Sequence, residues 1–295
     1  MKGIGILVNI LAVLVGGGFG LMFRGKLKIS LQKLLYRTMG LAVMAVAAYE
    51  FIQHYFVMSS GEVELTGSLL VIMALVVGGL IGYLFNISGG ITAIGKTLSK
   101  KDEDEKAKES ARLDRLSRAV ELSVEKDMKP PKVSFLDKLP TYAAPAPMTN
   151  NAYADGFLIG IVLFCANSML FNGVMADSSS GETTLLLVKS VIDFVACFLL
   201  CSSFGSGAMY ATIPMAVLEV LIFGVNLVLP NFTAEFFDPT LTGQISVIGA
   251  VILLVLGIQM AFDRKRPKAA DLLPAYLIPL LYYGILFVVN LFLSD

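Results

Sequence analysis

Two charged residues, Lys189 and Asp193, lie inside the strongly apolar stretch 182–204. A membrane-spanning helix needs about 20 mostly apolar residues, so this stretch is long enough to cross a bilayer. A charge near the centre of such a helix costs ~2.5–3.5 kcal/mol. Residues four positions apart share one face of a helix, so the ammonium and the carboxylate can pair there. The two residues therefore form either a structural ion pair or part of a site for transport or proton relay.

Other polar side chains also occupy predicted spans, where lipid would penalise them. They are Asn9, Glu50, Asn167, Glu219, Asn226 and Gln259. Glu219 follows Pro214 in a span that opens with glycines, and such residues free backbone groups that can line a cavity. Asn9 is of a type that more often holds helices together than binds ions. Glu50 and His54 fall near the outer end of their span, which favours an interfacial position.

The composition is that of a membrane protein. Of 295 residues, 56% are hydrophobic and 16% charged, with no net charge, whereas a soluble domain is roughly a quarter charged. Mean hydropathy is +0.76, and the apolar runs are continuous, which indicates helices and not a barrel. The single histidine excludes a multi-histidine metal site, and we expect no metal, cofactor or nucleic-acid partner.

The sequence predicts an all-α, polytopic membrane helix bundle with about eight transmembrane helices. The predicted spans are 3–23, 38–57, 66–86, 156–175, 182–204, 207–229, 240–262 and 272–293. Lys and Arg cluster in the first and seventh connections and are absent from the second, fourth and sixth. Because basic residues favour the cytoplasmic side, both termini are predicted to lie outside the cytoplasm.

Three segments follow from this pattern: a first membrane half (1–89, three spans), a polar cytoplasmic linker with one helix (90–155) and a second membrane half (156–295, five spans). The linker is either a solvated tether or an arm that gates the protein or docks a partner. Three spans, a linker and three spans of opposite orientation form the layout of a 3+3 inverted-repeat transporter, here followed by two further helices.

Two glycine pairs, Gly16/Gly20 and Gly78/Gly82, have the spacing that lets helices approach closely. They predict a packing seam within the chain or a contact in a homo-oligomer. Enzyme motifs are scarce, since the chain has no HExxH, no Walker loop and no GxGxxG fingerprint. We therefore predict no catalytic residues and no enzymatic activity.

Four stretches carry a family resemblance: GILVNILAVLVGGGFG, LVVGGLIG, LLLVKSVIDF and DLLPAYLIPLL. They resemble the bacterial membrane family called domain of unknown function 554, over nearly the whole chain apart from the linker. Asn9 matches the asparagine of the family's first span, and Lys189, Ser190 and Asp193 match its Lys-Ser-x-x-Asp pattern. The resemblance implies a multi-span protein of the bacterial inner (plasma) membrane, in a group whose activity is unassigned and whose members are often described as candidate transporters.

These observations favour transport of a small solute or ion by polar residues inside the bundle. The candidate residues are Lys189, Asp193, Glu219, Asn9, Asn167 and Ser190. The alternative is a non-transporting scaffold or sensor with a cytoplasmic docking segment. A transporter should arrange Lys189, Asp193 and Glu219 around one water-accessible cavity, whereas a scaffold should bury them in a dry, fully paired core.

Overall fold

The structure is a computed structural model that describes residues 2–24, 29–59, 62–65, 68–101, 151–262 and 268–293. It confirms the all-α membrane bundle. The helices are α1 (Ile4–Phe23), α2 (Ile29–Tyr55), α3 (Ser68–Leu84), α4 (Ile87–Lys101), α5 (Ala152–Cys165), α6 (Ser168–Ser179), α7 (Thr184–Phe204), α8 (Gly207–Tyr210), α9 (Thr212–Val228), α10 (Pro230–Phe236), α11 (Pro239–Phe262) and α12 (Leu277–Leu293). Between α2 and α3, two short strands, β1 (Phe56–Ser59) and β2 (Glu62–Leu65), pair antiparallel.

Length and hydropathy agree with the predicted number of spans. Six helical segments in the described part of the chain are long and apolar enough to cross a membrane. Two bent pairs, α3 with α4 and α5 with α6, raise the number to as many as eight. The inverted repeat stays a prediction, because the helix order alone does not establish it.

One predicted boundary was wrong. Helix α2 begins at Ile29 and not at residue 38, so its first turns carry the basic residues Lys33 and Arg37. Long basic side chains can reach the aqueous interface from a helix end, which makes this extension compatible with a membrane span. The last span begins with a 3-10 helix, Ala269–Tyr276, that contains Pro274. Proline lacks the backbone N–H that a regular α-helix would use there.

The predicted span 156–175 is not one continuous helix, because the chain leaves the helix in its middle. Helices α5 and α6 meet at an angle of 51°, and Ala166 between them has φ −89° and ψ 43°. The Asn167 side chain accepts a hydrogen bond from Met169 N at 2.8 Å and so caps α6. A side-chain cap competes with continuation of the helix, which explains why an asparagine marks the break.

Glycines set the packing between the two halves of the sequence. A β-carbon at Gly16 would lie 2.4 Å from Phe194 O on α7, and one at Gly20 equally close to Phe198 O. The other predicted pair packs on the 3-10 helix, with Gly82 facing Asp271. The predicted glycines therefore lie where helices of this same chain approach backbone to backbone.

The same contacts define relative directions. Helix α1 runs parallel to α7, since later residues of one meet later residues of the other. Helix α2 runs antiparallel to α11, because Gly40 packs near Ala261 while Met44 packs near Gly257. These directions agree with an eight-span order in which odd spans cross one way and even spans the other. Which side is cytoplasmic stays a prediction from the basic residues.

A labelling experiment tests that orientation. Ser179 is exposed at the end of α6, so a single cysteine placed there, with Cys165, Cys197 and Cys201 replaced, should react with an impermeant maleimide added to intact cells. A cysteine at Lys96, exposed on α4, should react only after the cells are opened. Labelling of the Ser179 position only from the cytoplasmic face would contradict the predicted topology.

Part of the predicted linker is helical, since α4 runs to Lys101. A β-carbon at Gly95 would lie 3.0 Å from Ala154 Cα, so α4 packs against the start of α5. Residues 102–150 of the linker lie outside the described residues. The division into two membrane halves and a linker stays a prediction.

Candidate functional site

The break between α5 and α6 exposes polar backbone groups inside the bundle. The last turn of a helix leaves carbonyl oxygens without helical partners. One of them, Phe164 O, accepts a hydrogen bond from Lys189 Nζ at 3.1 Å. The ammonium group therefore lies at the carboxyl end of a half-helix, where the helix dipole favours a positive charge.

Lys189 also forms an ion pair with Asp193, one turn further along α7. Both side chains are buried, at 0% and 1% exposed. The pairing on one helix face is the arrangement that the four-residue spacing predicted. Each charge compensates the other, and Phe164 O satisfies a further donor of the ammonium, so the pair avoids most of the cost of an isolated buried charge.

A second polar contact joins α1 to α9. Asn9 Nδ2 donates to Glu219 Oε1 at 2.7 Å and lies 3.6 Å from Met215 Sδ. Asn9 and Glu219 are both fully buried. Glu219 lies within electrostatic reach of Lys189 and Asp193, and Asn9 lies beside the Asp193 carboxyl. Asn9, Lys189, Asp193 and Glu219 thus form one group, called the polar cluster below, from three helices.

The cluster is closed but incompletely hydrogen-bonded. Two buried atoms in it, Asn9 Oδ1 and Glu219 Oε2, have no hydrogen-bond partner. Buried polar atoms are normally paired, because leaving one unsatisfied costs about 1–3 kcal/mol. The cluster therefore has unused capacity for a proton, an ion or a polar group.

Glu50 lies on the other side of the break, and its predicted interfacial position was wrong. It is only 2% exposed, and its carboxyl lies close to Ser168, in the first turn of α6. Neither carboxyl oxygen has a hydrogen-bond partner. The amino end of α6 is the positive end of its dipole, which favours a carboxylate there. Sequence reasoning named this residue but misplaced it, because its position along α2 does not reveal which helix it faces.

The remaining candidates have more local roles. The Ser190 hydroxyl donates to Leu186 O at 2.6 Å within its own helix, so it does not join the polar cluster. Asn167 caps α6 at the break. Asn226 donates to Ser178 Oγ at 2.5 Å and joins α9 to the end of α6, away from the cluster.

Two apolar cavities flank the break, and Asn167 lines both. One, of about 300 Å³, lies between α2, α5, α7 and α11 and is lined by Met39, Ala42, Val43, Val46, Leu163, Asn167, Val191, Ile192, Val195, Ala196 and Leu253. The other, of about 270 Å³, is lined by Cys165, Asn167, Ser168, Leu170, Phe171, Leu218, Ile222, Phe237, Ile245, Tyr276 and Leu280. Lys189, Asp193 and Glu219 line neither cavity, so the charged groups are shut off from both in this conformation.

Asp177 is a further buried carboxylate that sequence reasoning missed. At the end of α6 it accepts hydrogen bonds from Gly3 N at 2.9 Å and Gly5 N at 3.1 Å. It therefore caps the amino end of α1, whose own N-cap residue is a glycine with no side chain to do so. An acidic residue in a polar connection looks like ordinary surface, so no local signal indicated this contact.

Asp177→Asn should weaken this cap. An amide keeps one acceptor but loses the charge that interacts with the helix dipole, so we expect a loss of about 1–2 kcal/mol in the free energy of unfolding. Thermal unfolding in detergent measures it, with Glu182→Gln in the following turn as the control. Equal stability of Asp177→Asn and wild type would show that the capping charge contributes nothing.

Within the described residues, no group of three His, Cys, Asp or Glu side chains could hold a metal ion. Cys165, Cys197 and Cys201 are free thiols. The candidate site at the break thus consists of carboxyl and ammonium groups around a discontinuous helix.

Comparison with known proteins places this site in a family without an assigned activity. The model of the family "Protein of unknown function (DUF554)" matches residues 4–283. The "Uncharacterized membrane protein YdfK" of Bacillus subtilis is 21% identical over 275 residues, which cover 93% of each chain. The "Uncharacterized protein YqgA" of Escherichia coli is 26% identical over 130 residues, 44% of this chain and about half (53%) of that protein. No solved structure gives a significant match.

Proposed function

We propose that this chain, which belongs to the DUF554 family of proteins of unknown function, transports a small solute or an ion across the bacterial plasma membrane. In this proposal it has no enzymatic activity, and its partners are the lipid bilayer, the transported species and, at most, further copies of itself. The observation that carries the proposal is the convergence of buried ionisable side chains on a broken helix.

Discontinuous helices are the usual substrate and ion sites of secondary transporters. Their half-helix ends present uncompensated backbone groups and dipole charge inside the bundle. Here Lys189 meets the carboxyl end of α5 through Phe164 O, and Glu50 lies at the amino end of α6. A basic side chain therefore lies at the carboxyl end of α5 and an acidic side chain at the amino end of α6, which is the arrangement that the helix dipoles favour.

The unpaired atoms favour transport over a purely structural role. A scaffold gains nothing from buried acceptors without donors, and an apolar residue at each position would be cheaper. Yet Glu50, Glu219 and Asn9 all carry buried oxygens without a partner. In the proposal these atoms are occupied at another stage of a transport cycle. The closed cluster corresponds to an occluded state between two openings.

Uptake by reconstituted vesicles tests the proposal. Vesicles that contain the protein and empty vesicles are incubated with a mixture of metabolites and inorganic ions, and their contents are compared by mass spectrometry and elemental analysis. We expect at least one species to enter faster with the protein, and Lys96→Met, which changes an exposed lysine on α4, to behave as wild type. No species entering above the empty-vesicle rate would favour the scaffold or sensor alternative.

A further inference from the structure

The contact between Asn9 and Glu219 has an arrangement that one proton would complete. The amide and the carboxyl are both planar groups, and one hydrogen bond joins them, from Asn9 Nδ2 to Glu219 Oε1 at 2.7 Å. Each group has one oxygen left over, Asn9 Oδ1 and Glu219 Oε2. Both are buried and both lack a partner.

These two oxygens cannot satisfy each other when Glu219 is ionised, because an amide oxygen and a carboxylate oxygen are both acceptors. Their like partial charges repel in a buried site, where the low local dielectric screens them little. A neutral carboxyl has an O–H that donates. If Glu219 carries a proton, its O–H can donate to Asn9 Oδ1 while Nδ2–H donates to the carbonyl oxygen, so a cyclic pair of hydrogen bonds satisfies all four atoms.

The charged groups near Glu219 are already paired with each other. The charged groups that act on it from α7 are Lys189 and Asp193, and these neutralise each other in an ion pair. Helix α5 contributes the thiol of Cys165, and α1 contributes the uncharged Asn9. Helix α6 contacts α9 through Ser178 and Asn226. The Lys189 ammonium is the one cation among these groups, and it is already paired with Asp193, so the described residues give Glu219 no ion pair of its own.

We propose that Glu219 is a reversible proton-binding site, in which the neutral carboxyl and the Asn9 amide form a cyclic hydrogen-bonded pair between α1 and α9. The proton comes from water and returns to water, so the step involves no other reactant. Loss of the proton leaves a carboxylate beside Asn9 Oδ1 and Asp193, which weakens the contact between α1 and α9. One further step rests on the proposed transport function. In that function the proton is the coupling ion, and its release separates α1 from α9.

Infrared difference spectroscopy of the purified protein between acid and alkaline pH tests the proton site without any transport assay. A protonated carboxyl has a C=O stretch that disappears on ionisation. We expect a band of this kind in wild type and in Glu235→Gln, which changes an exposed glutamate on α10. We expect its loss in Glu219→Gln, and a shift of its frequency in Asn9→Leu, which removes the partner amide. A full band in Glu219→Gln, or an unshifted band in Asn9→Leu, would overturn the proposal.

Stability provides a second readout, because Gln at position 219 mimics the neutral acid. Its Nε2–H can donate to Asn9 Oδ1, so the cyclic pair survives at every pH. A group that holds a proton in the folded state, but not in the unfolded state, contributes stability that is lost as pH rises. The thermal midpoint of wild type should therefore fall between neutral and alkaline pH by more than that of Glu219→Gln. Equal pH dependence of the two proteins would overturn the proton site.

The two proposals fail separately. If the Glu219 band titrates but the vesicles show no uptake, the proton site is supported and transport is refuted. If the vesicles show uptake but no Glu219 band is found, transport is supported and the proton site is refuted. Where both hold, uptake by wild type should depend on an inward proton gradient and uptake by Glu219→Gln should not. Uptake that is equally gradient-dependent in the two proteins would refute Glu219 as the coupling residue.

Discussion

Asp193→Asn and Lys189→Met should each lower the free energy of unfolding by about 3–5 kcal/mol, because each leaves one buried charge without its partner. The pair is buried at 0% and 1% exposure, so water cannot compensate the remaining charge. Thermal and denaturant unfolding in detergent measure the loss. Lys96→Met is the matched control, because it makes the same substitution at an exposed lysine.

The double variant separates a structural pair from a transport site. Removing both charges of a buried pair is often nearly neutral for stability, so Lys189→Met with Asp193→Asn should unfold close to wild type. If the pair only holds the fold together, the double variant keeps its uptake activity. If the ionisable groups bind or release an ion in each cycle, the double variant is folded but does not transport. We expect the second result, and a stable double variant with full uptake would contradict it.

Gly16→Ala should destabilise the bundle, whereas Gly18→Ala, two residues along the same helix, should not. The new β-carbon at Gly16 would lie 2.4 Å from Phe194 O, a backbone atom that cannot rotate away, while a β-carbon at Gly18 meets nothing within 4 Å. Forcing extra volume into such a contact costs about 1–3 kcal/mol. Alanine at an open helix position gains roughly 0.5–1 kcal/mol over glycine.

Unfolding of the two variants in detergent, followed by loss of helical circular dichroism, measures the difference. Gly20→Ala should resemble Gly16→Ala, since its β-carbon would lie equally close to Phe198 O. Equal stability of Gly16→Ala and Gly18→Ala would show that α1 and α7 do not pack as closely as their backbones indicate.

Features set by local pattern were predictable from the sequence. Span number follows from apolar length, because backbone groups in hydrocarbon must be satisfied within a helix of about 20 residues. The pairing of Lys189 with Asp193 follows from their spacing on one helix. Gly16 and Gly20 were identified as packing positions for the same reason, because their spacing places both on one face.

Only the tertiary structure decided which faces meet. Asn9 and Glu219 are 210 residues apart in sequence, and nothing in either helix specifies the rotation that brings their side chains together. Glu50 reaches the amino end of α6 only because α5 and α6 are broken at Asn167, and one asparagine in an apolar run does not by itself indicate a break. Periodicity determines what a helix can bury, whereas partner and rotation depend on the packing of all the helices at once. The sequence therefore identified the charged residues, whereas only the tertiary structure showed that they assemble into one site around a broken helix.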